Sequence, residues 1–197
     1  MTNVLLKYVG FFCCLFLIRY YNFFHIVLPV REFVPSGSEP TISTFLIYNF
    51  GLSVFYYLIK FVIVGAILTT GLFLNKTHHD KANFGQLFTL GVSAEFIFLL
   101  SDLVKSIYFT FIATQYTELQ FANLYPLSIF NLIDSDLGVL TYAFQILNGF
   151  EFLYFLYLAR GISILIQSSF KEALGIVLYS YGSLLILWVL IMTYFNL

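Results

Sequence analysis

Charge is scarce in this chain. Only 10% of its 197 residues are Asp, Glu, Lys or Arg, against ~25% in an ordinary soluble domain. The formal net charge is −1, and no basic block exists to bind nucleic acid. Cysteine is nearly absent too. Cys13 and Cys14 are the only two, and adjacent residues are poor disulfide partners because a bridge needs specific Cα and Cβ geometry. They read as small apolar fillers, with S-acylation near a membrane face as the alternative. No Ser/His/Asp set and no embedded His-x-x-x-His motif occurs, so the sequence carries no signature of an enzyme. His78-His79-Asp80 is the one cluster with ligand chemistry. A closed metal site needs around four ligands and no fourth is evident, so a solvated loop is the reading and no cofactor is expected.

What the chain does have is apolar length. Sixty per cent of it is hydrophobic, with a mean hydropathy of +0.92, 25 Phe and 15 Tyr. The runs Phe45 to Leu74, Gly85 to Thr114 and Leu137 to Ile166 are each 30 residues long, and ~20 suffice to cross a bilayer as a helix. Two shorter runs, Tyr8 to Val30 and Ala173 to Tyr194, flank them. The first follows Lys7 in the manner of a signal peptide, but no small-residue cleavage site follows and Arg19-Tyr20-Tyr21 interrupts it. It therefore reads as an uncleaved first span. The expectation is all-α: one transmembrane domain over residues 1–197, a polytopic bundle of five helices at about 8–30, 45–74, 85–114, 137–166 and 173–194. Between the third and fourth spans, Leu124 to Ile133 reads as a short interfacial helix.

Loop charge orients the spans. Lys7, Lys76, Lys81, Arg160 and Lys171 fall on one side, while Arg31 stands alone on the other beside Glu32, Glu39, Glu118, Asp134 and Asp136. By the positive-inside rule the N-terminus is expected in the cytoplasm and the C-terminus outside. Asn75-Lys76-Thr77, a glycosylation pattern, then lies on the wrong side to be modified.

Every one of the three long runs carries charge. Lys60 lies in the first, Glu95, Asp102 and Lys105 in the second, and Glu151 in the third. An ionisable group at the bilayer centre costs ~2.5–3.5 kcal/mol on insertion scales, so each needs a partner or a purpose. Gly91, Ala94, Glu95, Phe98, Ser101, Asp102 and Lys105 recur at i, i+3, i+4 and i+7 and share one helical face. Small residues on such a face permit close helix packing. Asn49, Ser53, Tyr56 and Lys60 repeat the logic in the second span, and Thr141, Gln145, Asn148 and Glu151 in the fourth. Gly175, Tyr179 and Gly182 do so in the fifth.

At ~1.5 Å per residue, Lys60 and Glu151 sit ~21 and ~22 Å from the cytoplasmic ends of their spans, Asp102 ~25 Å and Glu95 ~15 Å. These depths predict a Lys60–Glu151 ion pair and a local Asp102–Lys105 pair. Glu95 is left to be protonated or to bond Tyr or Ser hydroxyls. Such charges are either structural pairs fixing helix register, a proton or ion relay, or part of a surface for a membrane partner. No span shows the Pro- or Gly-broken pattern of discontinuous transporter helices, which weighs against the relay.

Asn148-Gly149-Phe150-Glu151-Phe152 opens an apolar stretch that runs through Tyr154 to Gly161. Ser168-Ser169-Phe170-Lys171-Glu172-Ala173-Leu174 follows, then Ile176 to Gly182 and Trp188. Upstream, a short basic loop precedes Phe84-Gly85-Gln86-Leu87-Phe88-Thr89-Leu90-Gly91. This pattern, over roughly Phe45 to Tyr194, resembles the Yip (Ypt/Rab-interacting protein) domain family in its bacterial form. The resemblance implies a five-span bundle with a cytoplasmic N-terminus. Eukaryotic members interact with small GTPases and shape secretory membranes, and some bacterial members accompany ABC-type export systems with periplasmic adaptors. The chain lacks the long polar N-terminal region of the eukaryotic members, which favours a bacterial inner-membrane protein with a periplasmic C-terminus. Glu151 and Gly161 are the matched positions of interest.

The functional expectation is a non-enzymatic accessory or scaffold subunit in the lipid bilayer. Its partner is expected to be an ABC exporter, a secretion subunit or a second copy of the chain. The alternative is a small proton- or ion-coupled transporter using the intramembrane carboxylates and Lys60.

Overall fold

A computed structural model describes residues 2–30, 43, 45–75, 81–113, 115–132 and 140–195. Helix α1 (Thr2–Tyr21) continues through a π-helical stretch, Asn22–Val27, into one more α turn. A π stretch at Phe45–Gly51 leads into α2 (Leu52–Leu74), and α3 spans Phe84–Phe111. Short pieces follow: α4 (Glu118–Asn123), a 3₁₀ turn at Ile129–Leu132 and α5 (Thr141–Ile146). Helix α6 covers Gly149–Ile166. The last span is α7 (Phe170–Val177), a π stretch at Leu178–Gly182 and α8 (Ser183–Phe195). No strand occurs among the described residues, only an isolated bridge between Ser128 and Asn148.

Five helical stretches are long and apolar enough to cross a membrane: Leu5–Val27, Leu46–Leu74, Phe84–Phe111, Gly149–Ile166 and Phe170–Phe195. The predicted architecture, an all-α bundle of five spans, therefore stands, with boundaries shifted by a few residues in four of them.

The fourth is different. The sequence reads as one run from Leu137, yet the helix is interrupted at Leu147 and Asn148 between α5 and α6. Asn148 has extended backbone angles, and its side-chain oxygen accepts from the Glu151 amide at 2.8 Å. An Asn at that position satisfies an orphan amide of a helix N-terminus, so it starts a new helix. The expectation of unbroken spans is thereby corrected. The interfacial helix expected at Leu124 to Ile133 is corrected as well. The α-helix there is Glu118–Asn123, started by a reciprocal Thr117–Gln120 capping box, with only the 3₁₀ turn further on.

The chain divides into two compact units, residues 1–59 with 98–124 and residues 60–97 with 125–197. Helices α2 and α3 each contribute one half to each unit. In the first, Phe11 packs edge-on against Tyr57 and Phe16 against Phe50, over a core that includes Leu15, Phe23 and Ile26. In the second, Phe61, Leu68, Leu72, Leu87, Val92, Tyr154, Leu158 and Ile162 are buried. Gly161 admits the closest approach there, to the Leu90 side chain, and Gly71 the next: a Cβ on Gly71 would lie 2.5 Å from the Ser180 Cβ.

Candidate functional site: a buried polar network in the second unit

Lys60 on α2 donates to Glu95 Oε2 on α3 at 2.9 Å. The other oxygen of that carboxylate, Oε1, accepts from the Tyr154 hydroxyl on α6 at 3.0 Å, and the Lys60 ammonium stands 5.8 Å from the centre of the Tyr154 ring. Tyr154 in turn faces Tyr181, with ring centres 5.3 Å apart. The Tyr181 hydroxyl donates to Glu151 Oε1 at 3.0 Å. Two carboxylates, one ammonium and two phenols, drawn from four spans, thus make one network. Glu95 is 0% exposed and Glu151 is 9% exposed.

The pairing differs from that read from depth. The partner of Lys60 is Glu95, not Glu151. The physical reason is reach: a lysine head stands several ångströms from its Cα on a flexible stem, enough to span the ~6 Å depth difference used to exclude Glu95. Glu95 is consequently not the leftover carboxylate, although the expected tyrosine hydroxyl does bond to it. The expected Asp102–Lys105 pair persists as an electrostatic interaction, but each group makes its closer contact elsewhere. In the first unit Asp102 Oδ2 meets Arg19 at 3.7 Å, whereas Lys105 donates to the Ala122 carbonyl at 3.2 Å and lies 4.5 Å from the Phe121 ring centre. Sequence spacing within α3 favoured a neighbour at i+3. Packing of α1 against α3 brings Arg19, which in the sequence only interrupts an apolar run, to Asp102.

None of the seven residues predicted to share a face of α3 is exposed. Gly91 and Ala94 are buried, and a Cβ on Gly91 would touch Val64 at 3.2 Å. Ser101 is half-buried. Gly182 is buried against Phe155, at 3.2 Å, but a Cβ on Gly175 would meet open space, so Gly175 is no packing seam. Tyr179 is 86% exposed while Tyr181 is buried. The buried face of this span is set before the π stretch begins, by Ala173, Ile176 and Val177, and continues at i+4 to Tyr181, so Tyr179 falls outside it. In α2 likewise Tyr57, not Tyr56, is the buried tyrosine.

The break in the fourth span is held by a segment whose role the sequence did not reveal. The Gly149 amide donates to the Leu127 carbonyl and the Ile129 amide to the Leu147 carbonyl. Ser128 Oγ donates to the Phe144 carbonyl at 2.7 Å. Leu127 adopts φ 58°, a conformation costly for a non-glycine residue and kept only where surroundings enforce it. Gly149 packs directly on its side chain, at 3.2 Å for a built Cβ. Non-helical backbone at membrane depth requires such internal partners. Beyond the break, Trp188 Nε1 donates to the Tyr142 hydroxyl at 2.8 Å, tying α5 to α8.

The first unit carries a looser polar seam. Ser106 donates to Asn22 Oδ1 at 2.6 Å, and Tyr21 and Thr110 share a hydrogen bond at 3.0 Å. Beside them lies a shallow apolar groove of about 280 Å³ between α1 and α3, lined by Leu17, Ile18, Tyr21, Leu103, Ile107 and Phe111 among others. His25 stacks on Tyr21. His78-His79-Asp80 lies outside the described residues. Among the described residues no group of three His, Cys, Asp or Glu side chains is close enough together to hold a metal ion.

Helical content, five spans and a charged network enclosed by apolar surface define the class: a multi-pass, all-α integral membrane protein. No family model, curated protein or solved structure matches the chain.

Proposed function

We propose that the chain is a non-enzymatic accessory or scaffold subunit of the bacterial inner membrane. Its N-terminus is cytoplasmic, and it belongs with the Yip-domain proteins and packs against a transport complex such as an ABC exporter. The observation that carries this reading is α8. None of the thirteen residues from Ser183 to Phe195 is buried, and Ile186, Trp188 and Leu190 are among the large side chains it exposes. A terminal helix with no fully buried residue, held to its own chain through Trp188 and Tyr142, offers a broad apolar face to another membrane protein. Residues of the Yip-like pattern supply junctions that such a scaffold needs. Asn148 starts α6, Ser169 caps α7 through the Glu172 amide, and Gly161 packs against Leu90.

The test is a gentle-detergent pull-down from native membranes of the tagged chain carrying a photo-crosslinker at Leu187. Cross-linked, stoichiometric exporter or secretion subunits are the expected result. Recovery of the chain bonded only to lipid overturns the reading.

One observation favours a second reading, a small proton- or ion-coupled transporter. The broken fourth span places a helix N-terminus beside a buried carboxylate, an arrangement used by discontinuous helices at carrier binding sites. Substrate-free proteoliposomes that acidify under an imposed potential would support it.

A further inference from the structure

We infer that the network around Glu151 is a proton-binding site enclosed between the spans, holding one exchangeable proton on its two carboxylates.

The first step is depth. Lys60 is ~21 Å along α2 from Leu74, Glu95 ~16 Å along α3 from Phe84, Glu151 ~22 Å along α6 from Ile166 and Tyr181 ~16 Å from Phe170. Alternation of the spans puts those four ends on one side, so all four helices bring the network ~16–22 Å from that end, inside a ~30 Å hydrocarbon core and displaced toward its opposite side.

The second step is charge. Lys60 on α2, Glu95 on α3 and Glu151 on α6 are the charged groups of the network, and Glu151 feels both of the others electrostatically. Tyr154 and Tyr181 are its remaining titratable members. On the far side of the break, α5 and the 125–132 segment bring Tyr142 and Tyr125 and no charged residue. Arg160, on α6 itself, is exposed and nine residues away, ~13 Å along the axis. Among the described residues one cation therefore serves two carboxylates, and Glu95 holds it at 2.9 Å. With both carboxylates ionised the network carries one net negative charge, which low dielectric penalises.

The third step is that both states are provided for. A proton on Glu151 makes the network neutral. Without it, the negative charge rests in the first turn of α6, where the helix dipole favours an anion, and Tyr181 donates to it. A break placed at this carboxylate lowers the difference between the two states, as an unbroken helix would not. The proton comes from water, forms an O–H bond on the carboxylate and returns to water on release; no other bond changes. The site belongs to the isolated chain and rests on neither functional reading, so loss of a partner leaves it unaffected.

The experiment is infrared difference spectroscopy during pH titration of the purified full chain in lipid nanodiscs. The wild type is expected to show a protonated-carboxyl C=O band that titrates, and Glu151→Gln to lose it. A band that survives unchanged in Glu151→Gln, or no band at any pH where the chain is folded, overturns the proposal. Should Glu151→Gln fail to fold, Tyr181→Phe decides. Removing the hydroxyl 3.0 Å from Glu151 must shift the band, and an unshifted band overturns the assignment.

Discussion

The two units treat intramembrane charge in opposite ways. In the second, Lys60 and Glu95 meet at 2.9 Å with the carboxylate side chain wholly enclosed and the lysine side chain 23% exposed. In the first, Arg19 and Asp102 stand 3.7 Å apart, their side chains 40% and 29% exposed, and the arginine Nε is buried without a hydrogen-bond partner. One is a closed, hydrogen-bonded pair anchored further by a tyrosine. The other is a loose contact beside an open groove. The difference teaches that equal charge in equal apolar runs is not equal in consequence. What decides is whether each atom of the pair has a partner and whether anything else can replace it.

The largest expected effect comes from breaking the closed pair. Lys60→Met leaves Glu95 enclosed with no cation at hydrogen-bond distance. Removing one partner of a buried pair costs ~3–5 kcal/mol, whereas replacing both by apolar residues is often neutral. Unfolding by SDS titration in mixed micelles should show that loss for Lys60→Met and recovery of most of it in Lys60→Met with Glu95→Met. Equal instability of single and double variants would mean that the lysine stem, not the charge, holds the unit together.

A smaller effect sharpens the comparison inside the second unit, between two glycines of similar sequence setting. Gly71→Ala puts a methyl 2.5 Å from the Ser180 Cβ, while Gly175→Ala meets nothing within 4 Å. The first is expected to cost ~1–3 kcal/mol, as overpacking does, and the second to be neutral or stabilising by up to ~1 kcal/mol through helix propensity. The same titration reads both. An equal response would place the close approach of these helices in doubt.

These glycines also mark how far sequence reasoning reached. The apolar runs, long enough to need no periodicity, made five spans legible, and the stripe from Gly91 to Lys105 gave the enclosed face of α3. Depth and period did not resolve partners. Lys60 found Glu95 because a long side chain erases a one-turn difference in height, and Asp102 found Arg19 because inter-helix packing overrides a local step. Tyr181 rather than Tyr179 is enclosed because it lies at i+4 steps from Ala173 and Val177, an apolar spacing that the stripe through Gly175 and Gly182 passed over. The break at Leu147 and Asn148 was hidden for a different reason. Its residues are apolar on either side, and the signal was chemical: Asn148 followed three residues later by Glu151, ahead of an apolar run, has the spacing of a helix start. Gly71 had no signal at all, since its partner Ser180 lies over a hundred residues away in sequence.

The smallest effect belongs to the loose pair. Arg19→Gln removes a guanidinium that reaches Asp102 at only 3.7 Å. Asp102 keeps an electrostatic interaction with Lys105, one turn along α3, so its charge is not abandoned as that of Glu95 would be. Partly exposed pairs of this geometry contribute ~0–1 kcal/mol, and Arg19→Gln should fall in that range by SDS titration. Adding Lys105→Gln withdraws the second cation, so the double variant should lose more than the two singles combined. Strict additivity would mean that Lys105, with its Ala122 and Phe121 contacts, does not stand in for Arg19. The first unit would then hold Asp102 by its exposed fraction alone. A loss in Arg19→Gln as large as in Lys60→Met would erase the contrast, making the 3.7 Å contact as consequential as the enclosed one.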